Sequence, residues 1–407
     1  MTAPLSHIRV LDLSRVLAGP WAAQFLADMG AEVIKIERPG DGDETRGWGP
    51  PFAREPAGGD PGLSAYFLCT NRGKKSVTAD IAHPKGQALI RKIAQVSDVV
   101  IENFKVGGLA KYGLDYAALS AVNPRLVYCS ITGFGQTGPY APRAGYDFLV
   151  QGMGGLMSVT GEADAEAGGG PVKAGVAISD EIAGLNALAA ILAALVQRER
   201  TGRGEYIDVA LLDCTVAALI NQASTHLVAG TVPSRMGNAH PTIVPYQAFR
   251  TADGHLILAV GNDGQFQRFC AAAGLEALAE DRRYRTNTAR LANRDTLIPQ
   301  IAARLMTRTT AEWIGLLEER KVPCGPINTI DQVFADPQVQ ARAMTRVLVH
   351  ETAGPLPVVA NPVRMASHDT TAPKPPPLLG EDTDEVLCGL LGLPTAEMAE
   401  LRREGVV

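Results

Sequence analysis

Residues 8–37 read IRVLDLSRVLAGPWAAQFLADMGAEVIKIE. Two short apolar runs, Ile8–Leu13 and Glu32–Glu37, flank a stretch, Trp21–Met29, whose apolar side chains recur at helical spacing. Strand, helix and strand in this order join parallel neighbours, because the intervening helix supplies the crossover, and the crossover takes the right-handed path. Gly30 stands where a helix stop belongs. The rhythm continues through Lys75–Asp80, Lys85–Val96, Asp98–Asn103 and Leu126–Thr132, with Pro84 as a first-turn proline and Gly113 as a further stop. This part of the chain predicts an α/β unit on a parallel sheet.

Working outward, a chain of 407 residues exceeds one core of ordinary size and predicts two or three domains. The composition, 46% hydrophobic and 20% charged, is that of a globular protein. A formal charge of −5 provides no positive field to gather phosphate backbones, so nucleic acid is a poor partner. No run approaches the roughly 20 consecutive apolar residues of a bilayer span, and Met1–His7 lacks a basic start before an apolar stretch, so no membrane is expected and a cytoplasmic address follows. The six cysteines form no CxxC and read as reduced and structural. The seven histidines show no HxH or HxxxH spacing, and no metal is expected.

Beyond the first unit, Gly152–Gly175 is glycine-rich and reads as loop. A helix from about Glu181 to Arg198 follows and stops at Thr201-Gly-Arg-Gly204. The pattern weakens between Ser224 and His240, and Tyr246 to about Leu317 reads as a compact α+β region with a strand at His255–Val260. A proline-rich connection, Pro373 to Pro377, leads to two C-terminal helices. The boundaries expected are 1–223 for the first part of a large domain, 224–330 for a linker and small domain, and 331–407 for a return segment.

Several positions bear on chemistry. The turn from Leu13 through Val16-Leu-Ala-Gly-Pro20 opens a helix after a parallel strand, where unpaired amides attract anions, but no GxGxxG is present. Asp180 sits ahead of the long helix and reads either as an N-cap or as a carboxylate nucleophile held ionised by the helix N-terminus. Ile101-Glu-Asn-Phe104 ends a strand at a loop, the usual ligand edge of such sheets. Arg72, Lys74 and Lys75 read more readily as a solvated turn than as a phosphate site. Tyr146 and Asp147 precede an apolar run, as a base or a cap, and Gly261-Asn-Asp-Gly264 reads as a polar turn after a strand.

Together these blocks resemble the class III CoA-transferases, a family that includes the α-methylacyl-CoA racemases. The resemblance spans nearly the whole chain and rests on Val10-Leu-Asp-Leu-Ser14, Leu17-Ala-Gly-Pro20, Gly30-Ala-Glu-Val-Ile-Lys-Ile-Glu-Arg38, Gly42-Asp-Glu-Thr-Arg46, Ile101-Glu-Asn-Phe104, Gly133-Phe-Gly-Gln-Thr-Gly-Pro139, Thr201-Gly-Arg-Gly204 and Gly405-Val-Val407. It implies a Rossmann-like large domain built from both chain ends, a smaller inserted α+β domain and an interlocked homodimer. It also implies Asp180 as the nucleophile and coenzyme A thioesters as substrates, with no cofactor bound permanently. Leu17, Ala18, Arg38, Asn103, Phe104 and Lys111 match coenzyme A contacts, and Tyr146 and Asp147 match the neighbourhood of the thioester.

Racemases of this family carry histidine in a Gly-His-Asp segment where this chain has Gly145-Tyr-Asp147, which makes racemisation or epimerisation the alternative. Formyl-CoA transferases have glutamine at the position of Leu17 and a glycine run at Gly261–Gly264, so oxalate and formate fit poorly. The second half, with Gly237-Asn-Ala-His240, Ile243-Val-Pro-Tyr-Gln-Ala-Phe249 and Pro376-Pro-Leu-Leu-Gly380, is most similar to members that use succinyl-CoA as donor and glutarate as acceptor. Mesaconate, itaconate, citramalate and, despite the poorer fit, oxalate stand as alternative acceptors, and a coenzyme A binder without turnover is a third reading that Asp180 argues against. The acceptor's distal carboxylate needs a counter-charge, for which Arg46 and His240 are the candidates, with Gly261 and Gly264 placed at the substrate.

Overall fold

β1 (Arg9–Asp12), β2 (Glu32–Glu37), β3 (Lys74–Thr78), β4 (Val99–Glu102), β5 (Val127–Thr132) and β6 (Tyr206–Ala210) form a six-stranded sheet in the order β3-β2-β1-β4-β5-β6. Every pairing is parallel, as the crossover argument requires. The computed structural model describes residues 3–54, 63–372 and 374–407; Met1, Thr2 and Pro373, the start of the proline-rich connection, lie outside them.

Both faces of the sheet are covered, so its strands are apolar on both sides. On one face Val10, Val33, Val99, Val127 and Cys129 pack with Ala22, Ala23 and Leu26 of α1 (Ala18–Asp28), and with Ala183, Ala187 and Ile191 of the 24-residue helix Ile178–Thr201. On the other face Leu11, Ile34, Val100 and Tyr128 meet Leu89, Ile90 and Ile93 of α2 (Pro84–Gln95), together with Val386, Leu401 and Val406 from the C-terminal segment. Pro84 occupies the first turn of α2, with His83 as its cap. The helix Ile178–Thr201 is long and apolar enough to cross a bilayer, but its buried stripe packs on the sheet and α1, as a core helix does.

The chain divides into two compact units, one of residues 1–156, 174–229 and 338–407 and one of 157–173 and 230–337. The glycine-rich residues 157–173 thus belong with the second unit, and Ser224–Ala229 is helical rather than linker. The second unit has its own antiparallel sheet of Tyr246–Arg250, His255–Ala259 and Cys324–Pro326, and a core around Phe266, Phe269, Trp313 and Leu317.

Arg72, Lys74 and Lys75 are not a solvated cluster. The Lys74 ammonium is fully buried beneath β1 and donates to Asp12 Oδ2 at 2.9 Å, Asn71 Oδ1 at 3.0 Å and Pro20 O at 3.0 Å. Arg72 is buried against Asp28, and Lys75 bridges Glu32 and Glu385. Lys35 is equally buried and donates to Ser14 O at 2.7 Å, with Asp43 Oδ2 at 2.9 Å. Burial pushes the Lys74 ammonium down to about 8 against the pull of Asp12. The Asp12 carboxyl is held below its usual range, because Lys74, Lys35 and Ser14 outweigh its burial. Removing one member of such a buried pair strands the other, so Lys74→Met is expected to cost about 3–5 kcal/mol of stability in urea unfolding. Adding Asp12→Asn to that variant should recover part of the loss.

Candidate active site

The sheet order places neighbours β1 and β4 on opposite paths, so the chain leaves them in opposite directions and opens a crevice at their C-terminal ends. The loop from β1 into α1 crosses that crevice and is pinned from below. Asp12 Oδ1 accepts the Ser14 amide at 2.9 Å and the Ser14 hydroxyl. Asn103, just past β4, accepts the Arg15 amide at 2.9 Å and donates to Arg15 O at 2.6 Å. Val16 then adopts φ of +70°, a left-handed conformation that a β-branched residue rarely takes, with its amide facing the Asp43 carboxylate at 3.3 Å. The result sets Leu17 and Ala18 at the start of α1 with no side chain capping its first amides.

A second wall comes from the end of β5. Gly133 and Gly145 touch backbone to backbone: a Cβ on Gly133 would lie 2.5 Å from Gly145 Cα, so neither position tolerates a side chain. This contact anchors Gly145-Tyr146-Asp147 over the crevice. Asp147 opens helix α3 (Asp147–Met153), and its carboxylate accepts the Ser179 amide at 2.8 Å and Gln151 Nε2 at 2.7 Å.

Ser179 belongs to the first turn of α4 (Ile178–Thr201), so Asp147 supplies the capping bond that one of the two readings of Asp180 would have assigned to Asp180 itself. Asp180 is the third residue of α4, within its first turn, because the helix starts three residues before Glu181, and among the described residues nothing hydrogen-bonds its carboxylate. Gly184, on the same face one turn on, lets α4 approach α1: a Cβ there would meet Ala18 O at 2.8 Å and Trp21 Cδ1 at 3.0 Å. That approach sets Asp180 beside the uncapped start of α1. The half-buried carboxyl is pushed up to about 7, first by burial and then by the charge of Asp147. The expectation that the helix N-terminus simply keeps Asp180 ionised is thereby corrected: desolvation outweighs the helix field. Tyr66, masked in sequence by an unremarkable setting, lies near enough that burial and the charge of Asp180 raise its phenol to about 12.

Leu17, Ala18, Asn103, Phe104, Gly145, Tyr146 and Asp180 line one cavity of about 180 Å3, together with Arg15, Lys105 and Arg143. A neighbouring cavity of about 570 Å3 is lined by Arg38, Lys35, Asp43 and Ala79–Ala82, and shares Arg15, Glu44 and Phe104 with the first. Glu102 holds the Phe104 amide at 2.8 Å and is itself pushed up to about 7 by burial. Lys111 lines neither cavity and lies over Tyr112, its Nζ 4.6 Å from the ring centre.

Arg46 also departs from expectation. It is buried, its Nε and Nη2 are bound to Glu37 at 2.8 and 2.7 Å, Nη2 also donates to Pro377 O, and its guanidinium covers the Phe67 ring. A guanidinium so engaged braces β2 rather than waiting for an acid. His240, Gly261 and Gly264 belong to the second unit. There His240 Nδ1 accepts the Thr242 amide, and Gly261 gives its amide to Gln265 Oε1 at the start of the helix Asp263–Ala273, which contains Gly264. Sequence reasoning passed over Arg15, Arg143 and Gly184; a glycine inside the strong helical run was the one available signal.

A family model described as CoA-transferase family III matches residues 5–383. A succinate--glutarate CoA-transferase of Agrobacterium fabrum is 52% identical over 387 residues, covering 95% of this chain and 96% of that protein. The succinyl-CoA:glutarate CoA-transferase of Homo sapiens is 43% identical, with 99% of this chain and 90% of that protein covered. The crystal structure of a CAIB/BAIF family protein from Brucella suis superposes with a TM-score of 0.84 at 47% identity, covering 96% of this chain and all of that one.

The raised carboxyl has a consequence for stability. Because the folded chain binds the Asp180 proton more tightly than the unfolded chain, stability falls as pH rises from the usual value of 3.8 through about 7. Asp180→Asn is therefore expected to raise the melting temperature above pH 7, with the gain shrinking to nothing as the pH approaches 4. Thermal melts across that range, against the wild type, check it.

Proposed function

The chain belongs to CoA-transferase family III, and from that membership we propose that it moves coenzyme A from succinyl-CoA to glutarate through covalent intermediates on Asp180. The observation that carries this reading is the Asp180 carboxylate itself: half-buried, free of hydrogen bonds among the described residues, and on the wall of a cavity that begins at the uncapped end of α1. A carboxylate used only as a cap would be bonded to its helix, and that task falls to Asp147.

The reaction needs four exchanges of one bond for another. An Asp180 oxygen attacks the donor's thioester carbonyl; the C–S bond breaks, leaving a mixed anhydride and the coenzyme A thiolate. The thiolate attacks the Asp180 carbonyl carbon, succinate leaves, and an aspartyl-CoA thioester forms. A glutarate carboxylate attacks that thioester and releases the thiolate, which finally attacks the glutaryl carbonyl and restores Asp180. No net proton or electron is exchanged. Desolvation makes the ionised carboxylate a stronger nucleophile, and the amides at the start of α1 suit the negative oxygen and sulfur that appear during each attack.

We assign coenzyme A to the two adjoining cavities, with Leu17, Ala18, Asn103 and Phe104 around its reactive arm and Arg38 toward its nucleotide. Lys111, outside both linings, would act only at the periphery. Tyr146, 69% exposed, supplies no imidazole for α-proton exchange. The helix Ile220–Ala229 presents Ile220, Leu227 and Val228 at 72%, 82% and 87% exposure, which supports a homodimer in which these side chains are covered. A cytoplasmic setting fits the substrates.

Purified protein given succinyl-CoA and glutarate is expected to form glutaryl-CoA, followed by mass, and Asp180→Ala to lose roughly 10⁴-fold or more of that rate. Since the nucleophile must be ionised, kcat/KM should rise with pH through about 7. Transfer that survives in Asp180→Ala would sink the covalent reading. Failure with glutarate and success with mesaconate, itaconate or citramalate would keep the chemistry and change the acceptor.

A further inference from the structure

With Arg46 committed to Glu37, and with His240 in the second unit, the acid's free carboxylate lacks a partner in the unit that carries Asp180 among the two first expected for it. Three cations line the Asp180 cavity: Arg15, Lys105 and Arg143. Arg15 is paired with Glu44. Lys105, exposed like Arg143, is an ammonium on the loop after Phe104 with no ring beneath it among the described residues. Arg143 differs from both. Its guanidinium lies over the rings of Tyr140 and Phe134, 4.6 and 5.2 Å from their centres, and those two rings meet edge to face at 5.7 Å. Its amide donates to Tyr140 O at 2.9 Å, closing the turn that carries it. Its side chain has no carboxylate partner among the described residues, and its remaining polar contact is Met153 Sδ at 3.9 Å. Two residues on, Gly145 is locked against Gly133, so Arg143 is held relative to the wall that carries Asp147.

We infer that Arg143 is a specificity-determining residue that holds the free carboxylate of the acyl group, on the donor's succinyl and the acceptor's glutaryl alike; this rests on the transferase reading above. The charge balance requires such a partner. Asp180 and Asp147 are both acids, and a second substrate carboxylate brought beside them into a partly dry cavity needs a cation. A guanidinium preset on two rings loses little freedom on binding and offers two parallel donors to a carboxylate. Coenzyme A itself has no such group at its thiol end, so the role is separable from cofactor affinity.

The test uses the full-length protein with Arg143→Gln and Arg143→Lys, each first shown to melt like the wild type. Four quantities are measured: kcat/KM for glutarate, kcat/KM for valerate, kcat/KM for succinyl-CoA, and the dissociation constant of free coenzyme A. Arg143→Gln is expected to lower glutarate and succinyl-CoA kcat/KM by about 10- to 100-fold, to collapse the preference for glutarate over valerate, and to leave coenzyme A affinity within about twofold. Arg143→Lys should recover part of the glutarate rate. The inference is overturned if Arg143→Gln keeps the wild-type preference for glutarate, or if coenzyme A affinity falls in step with the glutarate rate. Wild-type glutaryl-CoA formation is the separate control on the reading beneath: when it is present, a failed variant counts against Arg143 alone, and when the wild type transfers to no dicarboxylate, that reading falls first.

Discussion

Two buried ammonium groups underwrite this site. Lys74 and Lys35 lie under the start of α1, bound to Asp12 and Asp43, and this network holds Ser14, Val16 and Pro20 while Asn103 holds Arg15. Lys35 takes the Ser14 carbonyl, Asp12 takes the Ser14 amide, and Asp43 faces the amide of Val16 in its left-handed turn. Such a conformation at a β-branched residue persists only when its surroundings overdetermine it. A fully buried pair of this kind is not the cheapest way to fill a core. Its return is the position of Leu17 and Ala18, with amides free for a ligand.

Asp180 illustrates the opposite allocation of charge. Asp12, Glu37 and Asp43, the carboxylates of the buried ion pairs, each face a cation and are held below the usual carboxylate range. The carboxyl at the cavity wall is left without a cation or hydrogen bond among the described residues, next to Asp147, and its proton affinity rises accordingly. Stability is given up at the position where reactivity is needed, and the rigid neighbours absorb the loss. The close packing at Gly184 and at the Gly133–Gly145 contact keeps the two helix ends and the loop in register without adding any side chain to the cavity.

Much of this was legible in the sequence, for identifiable reasons. The parallel sheet follows from apolar runs separated by helical periods, a local signal that tertiary contacts reinforce rather than override. The position of Asp180 ahead of a long helix left cap and nucleophile both open, and the family resemblance chose between them. Its environment was not legible, because the cap at that helix comes from Asp147, 32 residues away in the chain. Arg46 misled for the same reason: an arginine in a polar turn looks available until Glu37 and Phe67 are seen to enclose it. Lys74 read as a turn residue although it is fully buried, since a lysine's partners across a sheet leave no periodic trace. Residues 157–173 joined the second unit through contacts such as Arg235 with Asp164, which no local pattern announces.

The central claim is that Asp180 carries the transferred group covalently. Its most direct measurement is to incubate the protein with succinyl-CoA alone, quench with hydroxylamine, digest, and weigh the peptide that contains Asp180. An aspartyl hydroxamate on that peptide, formed only when succinyl-CoA is present and diminished when glutarate is added with it, is the predicted result. An unmodified Asp180 peptide from protein that is turning over succinyl-CoA and glutarate would contradict the account.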